Sequence, residues 1–149
     1  MARGYAIRGR YSIVQIDDLT PQVLAVEENH QLRRLIRVNL EADGLRVCEA
    51  QSHDECLRVM EAEKCNLLLV SLDVADQEAA RIVHEVRRRE GWALPVLLIT
   101  RETPSSSLLR EIAPAGHLRK PFDAAALTAC VRDLLSGRAC GDQAKRFCI

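Results

Sequence analysis

The chain has 149 residues, 48% of them hydrophobic and 28% charged, which is ordinary globular composition and enough length for one domain with its own core. Lysine plus arginine and aspartate plus glutamate both number 21, so the formal net charge is zero, and a mainly electrostatic partner such as bulk DNA or an anionic membrane is disfavoured. Aromatic residues are only 3%, too few for the stacking platforms that hold single-stranded nucleic acid.

No run approaches the roughly 18 apolar residues that a membrane helix needs. Residues 1–8 carry charge with no apolar run behind them, unlike a signal peptide, so a cytoplasmic location is expected. The six cysteines, Cys48, Cys56, Cys65, Cys130, Cys140 and Cys148, form no C-x-x-C pair and no zinc spacing. The first four fall on apolar faces of predicted elements and are expected as reduced, buried thiols. Cys140 and Cys148 lie in the tail, open to oxidation or to pairing between chains.

Residues 1–20 read as a loosely held arm, rich in arginine and glycine, with a short strand expected over Tyr11 to Ile16. Val23-Leu24-Ala25-Val26 is a buried strand that ends in Glu27-Glu28. Asn29 caps the following helix, in which Leu32, Leu35, Ile36 and Leu40 share a face, and Gly44 stops it. Residues 45–50 alternate like a strand, and Ser52-His53-Asp54-Glu55 is a capping box opening a helix that buries Cys56, Leu57 and Met60. Leu67-Leu68-Leu69-Val70 is the most apolar run and is expected as the central strand, with Ser71 after it.

The next helix turns Ala79, Ile82, Val83 and Val86 inward and ends near Gly91; its Arg87-Arg88-Arg89 run suits the negative end of a helix. Pro95 opens a fourth strand through Ile99, where proline is tolerated at the first position. A short helix around Leu108, Leu109 and Ile112 follows, then a brief strand, His117-Leu118-Arg119, before Lys120-Pro121. Asp123 caps a last helix carrying Leu127, Val131, Leu134 and Leu135, closed by Gly137. The organisation is therefore an arm (1–20), one domain (21–137) and a polar tail (138–149).

Five apolar strands alternating with five one-sided helices require a parallel sheet covered on both faces. Right-handed crossovers make it a doubly wound five-stranded parallel sheet of the α/β class. Such sheets place their sites at the carboxyl ends of the strands. Glu27, Glu28, Ser71, Thr100 and Lys120 stand at those ends.

The segments Val26-Glu27-Glu28-Asn29, Leu67 to Asp73, Val96-Leu97-Leu98-Ile99-Thr100 and Lys120-Pro121-Phe122, in this order and spacing, resemble the receiver domain of bacterial two-component response regulators over about residues 22–136. The resemblance implies a flavodoxin-like, CheY-like fold and a signalling role without enzymatic activity. In receivers an acidic pair holds Mg²⁺, an aspartate after the third strand accepts phosphate, and a Thr or Ser and a lysine complete the site. By that resemblance Glu27 and Glu28 are the acidic pair, Thr100 and Lys120 the phosphate-site residues, and Lys120–Pro121 a cis bond. His117 takes the switch position of an inward-turning Tyr or Phe, where histidine is expected half-exposed or sensitive to pH near neutrality.

The acceptor position is Ser71, with Asp73 as the alternative. Without that carboxylate, Glu27, Glu28 and Lys120 carry one net negative charge rather than two, and a demanding ion such as Mg²⁺ loses a ligand. Serine is neutral at pH 7, and no histidine beside it is evident to activate it. No cofactor is therefore expected, with Mg²⁺ at Glu27 and Glu28 only if Asp73 or Ser71 accepts phosphate. The turn after the first strand has no glycine-rich phosphate loop, against a nucleotide site. The chain is expected to act through protein partners, with residues 106–136 as the partner or homodimer face and no direct contact to nucleic acid or membrane.

Overall fold

The structure is a computed structural model that describes residues 5–8, 12–15, 20–72 and 76–138, without the side chains of the hairpin, Leu72 and residues 76–79. Two short strands, β1 (Tyr5–Arg8) and β2 (Ser12–Gln15), pair antiparallel, so the expected single strand is one half of a hairpin. The domain then runs β3 (Gln22–Val26), α1 (His30–Ala42), β4 (Arg46–Ala50), α2 (His53–Ala62), β5 (Leu67–Leu72) and α3 (Asp76–Glu90). It finishes with β6 (Val96–Thr100), α4 (Ser106–Ile112), β7 (Gly116–Arg119) and α5 (Ala124–Leu135).

The five later strands form one parallel sheet in the order β4-β3-β5-β6-β7. β5 is central, as the most apolar run must be when both its faces are covered. Side-chain alternation along the strands divides the core in two. Leu24, Val26, Leu68, Val70, Val96 and Leu98 pack beneath α2, α3 and α4 with Cys56, Val83, Val86 and Leu108. Val23, Ala25, Leu67, Leu69, Leu97 and Ile99 pack beneath α1 and α5 with Ile36, Leu40, Leu127 and Val131.

Local chemistry sets the helix ends. Asn29, Ser52 and Asp123 each accept the backbone N–H three residues on, at 2.9, 3.2 and 2.7 Å, satisfying donors that a helix start leaves open. Gly44, Gly91 and Gly137 follow α1, α3 and α5 at φ +86°, +83° and +78°, the left-handed region that favours glycine. Arg87 donates to the carbonyl of Ala113 at the end of α4 and stacks on Trp92, 4.3 Å from its centroid.

Three expectations are corrected here. Leu35 is 51% exposed, because it lies about 100° around the helix from Ile36, which is buried. β5 continues through Ser71 to Leu72, since Ser71 and Leu72 still pair with Ile99 and Thr100 of β6; Ser71 is inside the strand rather than after it. Cys130, expected as a thiol, is disulfide-bonded, whereas Cys48, Cys56 and Cys65 are free. Burial raises the pKa of all three free thiols, to about 12 at Cys56 and about 11 at Cys65, which leaves them unreactive near neutrality. Cys140, Cys148 and the tail beyond Arg138 lie outside the described residues, as does Asp73.

Candidate functional site at the strand tips

Glu27 follows β3 directly and is 2% exposed; its backbone N–H donates to Ala50, the last residue of β4, at 3.0 Å. Because Val26 pairs with Val70, Glu27 is level with Ser71 on the neighbouring strand. Lys120 arrives from the far edge of the sheet, after β7, and its Nζ lies 3.3 Å from Glu27 Oε1. Their side chains are 10% and 2% exposed, so two opposite charges neutralise each other away from water. The Lys120–Pro121 bond is cis, as the resemblance implied.

Glu28 is exposed and contributes its carbonyl rather than a carboxylate contact. Arg33, in the first turn of α1, donates to the carbonyls of Glu27 and Glu28 at 2.8 and 3.4 Å and pairs with Glu49 at 3.4 Å. It fixes the path of the acidic turn. The sequence reading missed Arg33; a basic residue six positions after Glu27, one turn into a capped helix, is the signal that was present.

Ser71 is 9% exposed, and its Oγ is buried without a hydrogen-bond partner. By strand alternation it is in phase with Leu67 and Leu69, on the α1–α5 side of the sheet. Thr100 falls on the other side, in phase with Leu98. Its Oγ1 lies 2.6 Å from the carbonyl oxygen of Glu102 and 2.5 Å from Nε2 of His117. Lys120 meets Thr100 through the backbone, its N–H donating to the Thr100 carbonyl at 2.7 Å.

His117 is 1% exposed, against the expected half-exposed residue. It pairs with Leu98, so its ring enters the core under α4. Burial first, and the positive charge of Arg119 second, lower its pKa to about 4, so the ring is neutral near pH 7 rather than poised to titrate there.

The strand tips thus carry the side-chain pairs Glu27–Lys120 and Thr100–His117. Beside them lies a groove of about 480 Å³ walled by Leu32, Leu35, Pro121 and Phe122, with Arg101 and Lys120 at its edge. Among the described residues no group of three or more His, Cys, Asp or Glu side chains is arranged to hold a metal ion, and no helix is long and apolar enough to cross a membrane.

A doubly wound parallel sheet with an acidic turn after its first strand and a lysine before a cis-proline after its last defines a receiver-type signalling domain. Comparison with known proteins agrees. The chain belongs to the response regulator receiver domain family, whose model matches residues 23–132, and it is a receiver domain of two-component signal transduction.

Among curated relatives, it is 29% identical over 113 residues to the KDP operon transcriptional regulatory protein KdpE of Escherichia coli K12, covering 74% of this chain and 49% of that protein. It is 28% identical over 118 residues to the aerobic respiration control protein ArcA of the same strain, covering 78% and 49%. The chain thus spans about half the length of these relatives. In fold it is similar to the chemotaxis response regulator CheY4 of Vibrio cholerae, at TM-score 0.68 and 23% identity over 77% of this chain and 98% of that one. A CheY-like receiver domain protein of Methanospirillum hungatei superposes at TM-score 0.72 with 18% identity, covering 79% and 95%.

Proposed function

We propose that this chain is an atypical receiver that works by phosphorylation-independent protein–protein interaction in transcriptional or signalling control. Ser71 takes the acceptor position in place of an aspartate. The observation that carries the reading is the buried Lys120–Glu27 pair beside Ser71. A serine hydroxyl cannot form an acyl phosphate, and no histidine bonds it to make it a nucleophile. Mg²⁺ takes near-octahedral oxygen ligands, commonly through one or two carboxylates. Here Glu27 is engaged by Lys120 and Glu28 is exposed, so the described donors fit that ion poorly. Glu27, Glu28, Thr100 and Lys120 then serve as structural charge and shape at the rim, and the domain needs no cofactor.

On this reading the output is carried by partners, through residues 106–136 as partner or homodimer face, without direct nucleic-acid contact. A second surface is favoured by exposure: Leu35 and Val38 on α1 are 51% and 49% exposed, and Leu35 borders the groove at Phe122.

The alternative function is a phosphorylatable receiver that uses Asp73 or Ser71 in a phosphorelay. It is favoured by the continuation of β5 to Leu72, the residue that precedes Asp73 in the sequence. Incubation with Mg²⁺ and a small phosphodonor, followed by intact mass, separates the two, with Asp73→Asn locating any acceptor.

A further inference from the structure

The end of the sheet opposite Glu27 and Lys120 carries a cleft of about 510 Å³. It is lined by Pro21, Asn66, Pro95 and Ala115, the residues immediately before β3, β5, β6 and β7, and by Leu134 and Leu135 of α5. Gly137 and Arg138 border it too, so the chain leaves the described domain at the cleft itself. Gly137 is left-handed, and the N–H groups of Gly137 and Arg138 donate to the carbonyls of Leu134 and Asp133 at 3.1 and 2.8 Å. These paired bonds stop a helix and turn the chain out of its axis.

Four residues before Leu134, on the same helix face, is Cys130. It is disulfide-bonded and 4% exposed, in the core that holds Leu127, Val131 and Leu134. Cys48, Cys56 and Cys65 are free thiols, so of the six cysteines only Cys140 and Cys148 are left to bond it. Ser136 lies about 9 Å along the helix axis from Cys130, and four extended residues reach about 13 Å, so even Cys140 is within range.

We propose that the segment beginning at residue 139 folds back as a strap over this cleft, held to α5 by a disulfide between Cys130 and Cys140 or Cys148, and is released by reduction. Phe147 and Ile149 flank Cys148 and supply apolar side chains for walls of proline and leucine. Closing is an exchange with a small-molecule disulfide. One cysteine of the pair attacks it, the second displaces the mixed disulfide, and the two thiol protons and two electrons leave on two small thiols. The three free thiols are poor attackers, because burial raises their pKa. Since α5 belongs to the 106–136 face, the strap makes that face respond to the thiol state of its surroundings. The inference goes beyond the interaction-module reading, for neither Ser71 nor a phosphoryl group enters it.

The test uses the full chain equilibrated in an oxidising glutathione buffer. Non-reducing digestion and mass spectrometry are expected to find residue 130 cross-linked to residue 140 or 148 of the same chain, and a dithiol reductant to abolish the link. Amides of residues 66–68, 115–117 and 134–136 are expected to exchange about tenfold more slowly in the oxidised chain than in the reduced one, with those of α2 changed less than about twofold. Cys130→Ser removes the link but alters a core position, so Cys140→Ser/Cys148→Ser is the second variant. In the oxidising buffer it is expected to exchange as the reduced, unaltered chain does. A thiol at Cys130 in that buffer, or a bond from it to a second chain or to Cys48, Cys56 or Cys65, would overturn the proposal. So would a cross-link that leaves exchange around the cleft unchanged or slows α2 by the same factor.

Discussion

Lys120 Nζ and Glu27 Oε1 lie 3.3 Å apart although 93 positions separate them in sequence, and the contact joins the last sheet strand to the first across β5 and β6. With side chains 10% and 2% exposed, neither charge has water to fall back on. Removing one partner strands the other, whereas removing both removes the problem along with the bond. Lys120→Met is expected to destabilise the domain by about 3 kcal/mol, and Glu27→Gln/Lys120→Met to recover a large part of that loss. Urea denaturation of the single and double variants checks this; additive losses would remove the pair from the account.

Ser71→Asp asks what a carboxyl group at this position would do. An aspartate there sits level with Glu27 in a site that already excludes water, so like charge and desolvation both act against it. Without Mg²⁺ the variant is expected to lose about 1–3 kcal/mol. A bound cation would offset this, so added Mg²⁺ is expected to raise its thermal midpoint while leaving that of the unaltered chain in place. Differential scanning calorimetry with and without the ion reads both.

The buried His117 makes stability depend on pH in a definite direction. Its pKa is lowered from 6.5 to about 4 in the folded chain, so the unfolded chain takes up the proton first as pH falls. The contribution of the neutral ring is complete above about pH 6.5, declines on acidification through the interval, and is gone below about pH 4. The loss is on the order of 3 kcal/mol. His117→Phe is expected to flatten that part of the profile, as measured by urea midpoints between pH 7 and 4.

Much of the fold was legible because burial has a period. Four- and five-residue apolar runs, capped helices and stopping glycines give the strand and helix order and thereby the sheet. Periodicity names a face, however, and not the neighbour that covers it. Leu35 has the right spacing for the α1 stripe, yet it lies at the stripe's margin, where the nearby walls are Pro121 and Phe122, far along the chain. His117 is polar and near the last strand's start, which reads as half-exposed; α4, placed only by tertiary packing, covers it.

The candidate site was legible as a set of positions and illegible as a set of contacts. The strand tips bring Glu27, Ser71, Thr100 and Lys120 to one end of the sheet, and this follows from element order. Which carboxylate Lys120 takes, and that Thr100 turns to the opposite side of the sheet from Ser71, depends on register between strands. The role of Arg33 depends on the first turn of α1 folding back over the acidic loop.

The exposed Leu35 offers a test of where partners dock. It borders the groove and supports no buried core, so Leu35→Glu is expected to change stability by less than about 0.5 kcal/mol. If α1 is the docking surface, capture of partners from lysate falls in this variant and persists when exposed Arg110 and Glu111 on α4 are exchanged. The reverse pattern assigns docking to the 106–136 face.

The central claim, that the domain signals without accepting a phosphoryl group, is tested most directly by intact mass after incubation with Mg²⁺ and a small phosphodonor. An unchanged mass is predicted for the unaltered chain under conditions that phosphorylate an ordinary receiver. A base-labile gain of one phosphoryl group, abolished by Asp73→Asn or by Ser71→Ala, would contradict it.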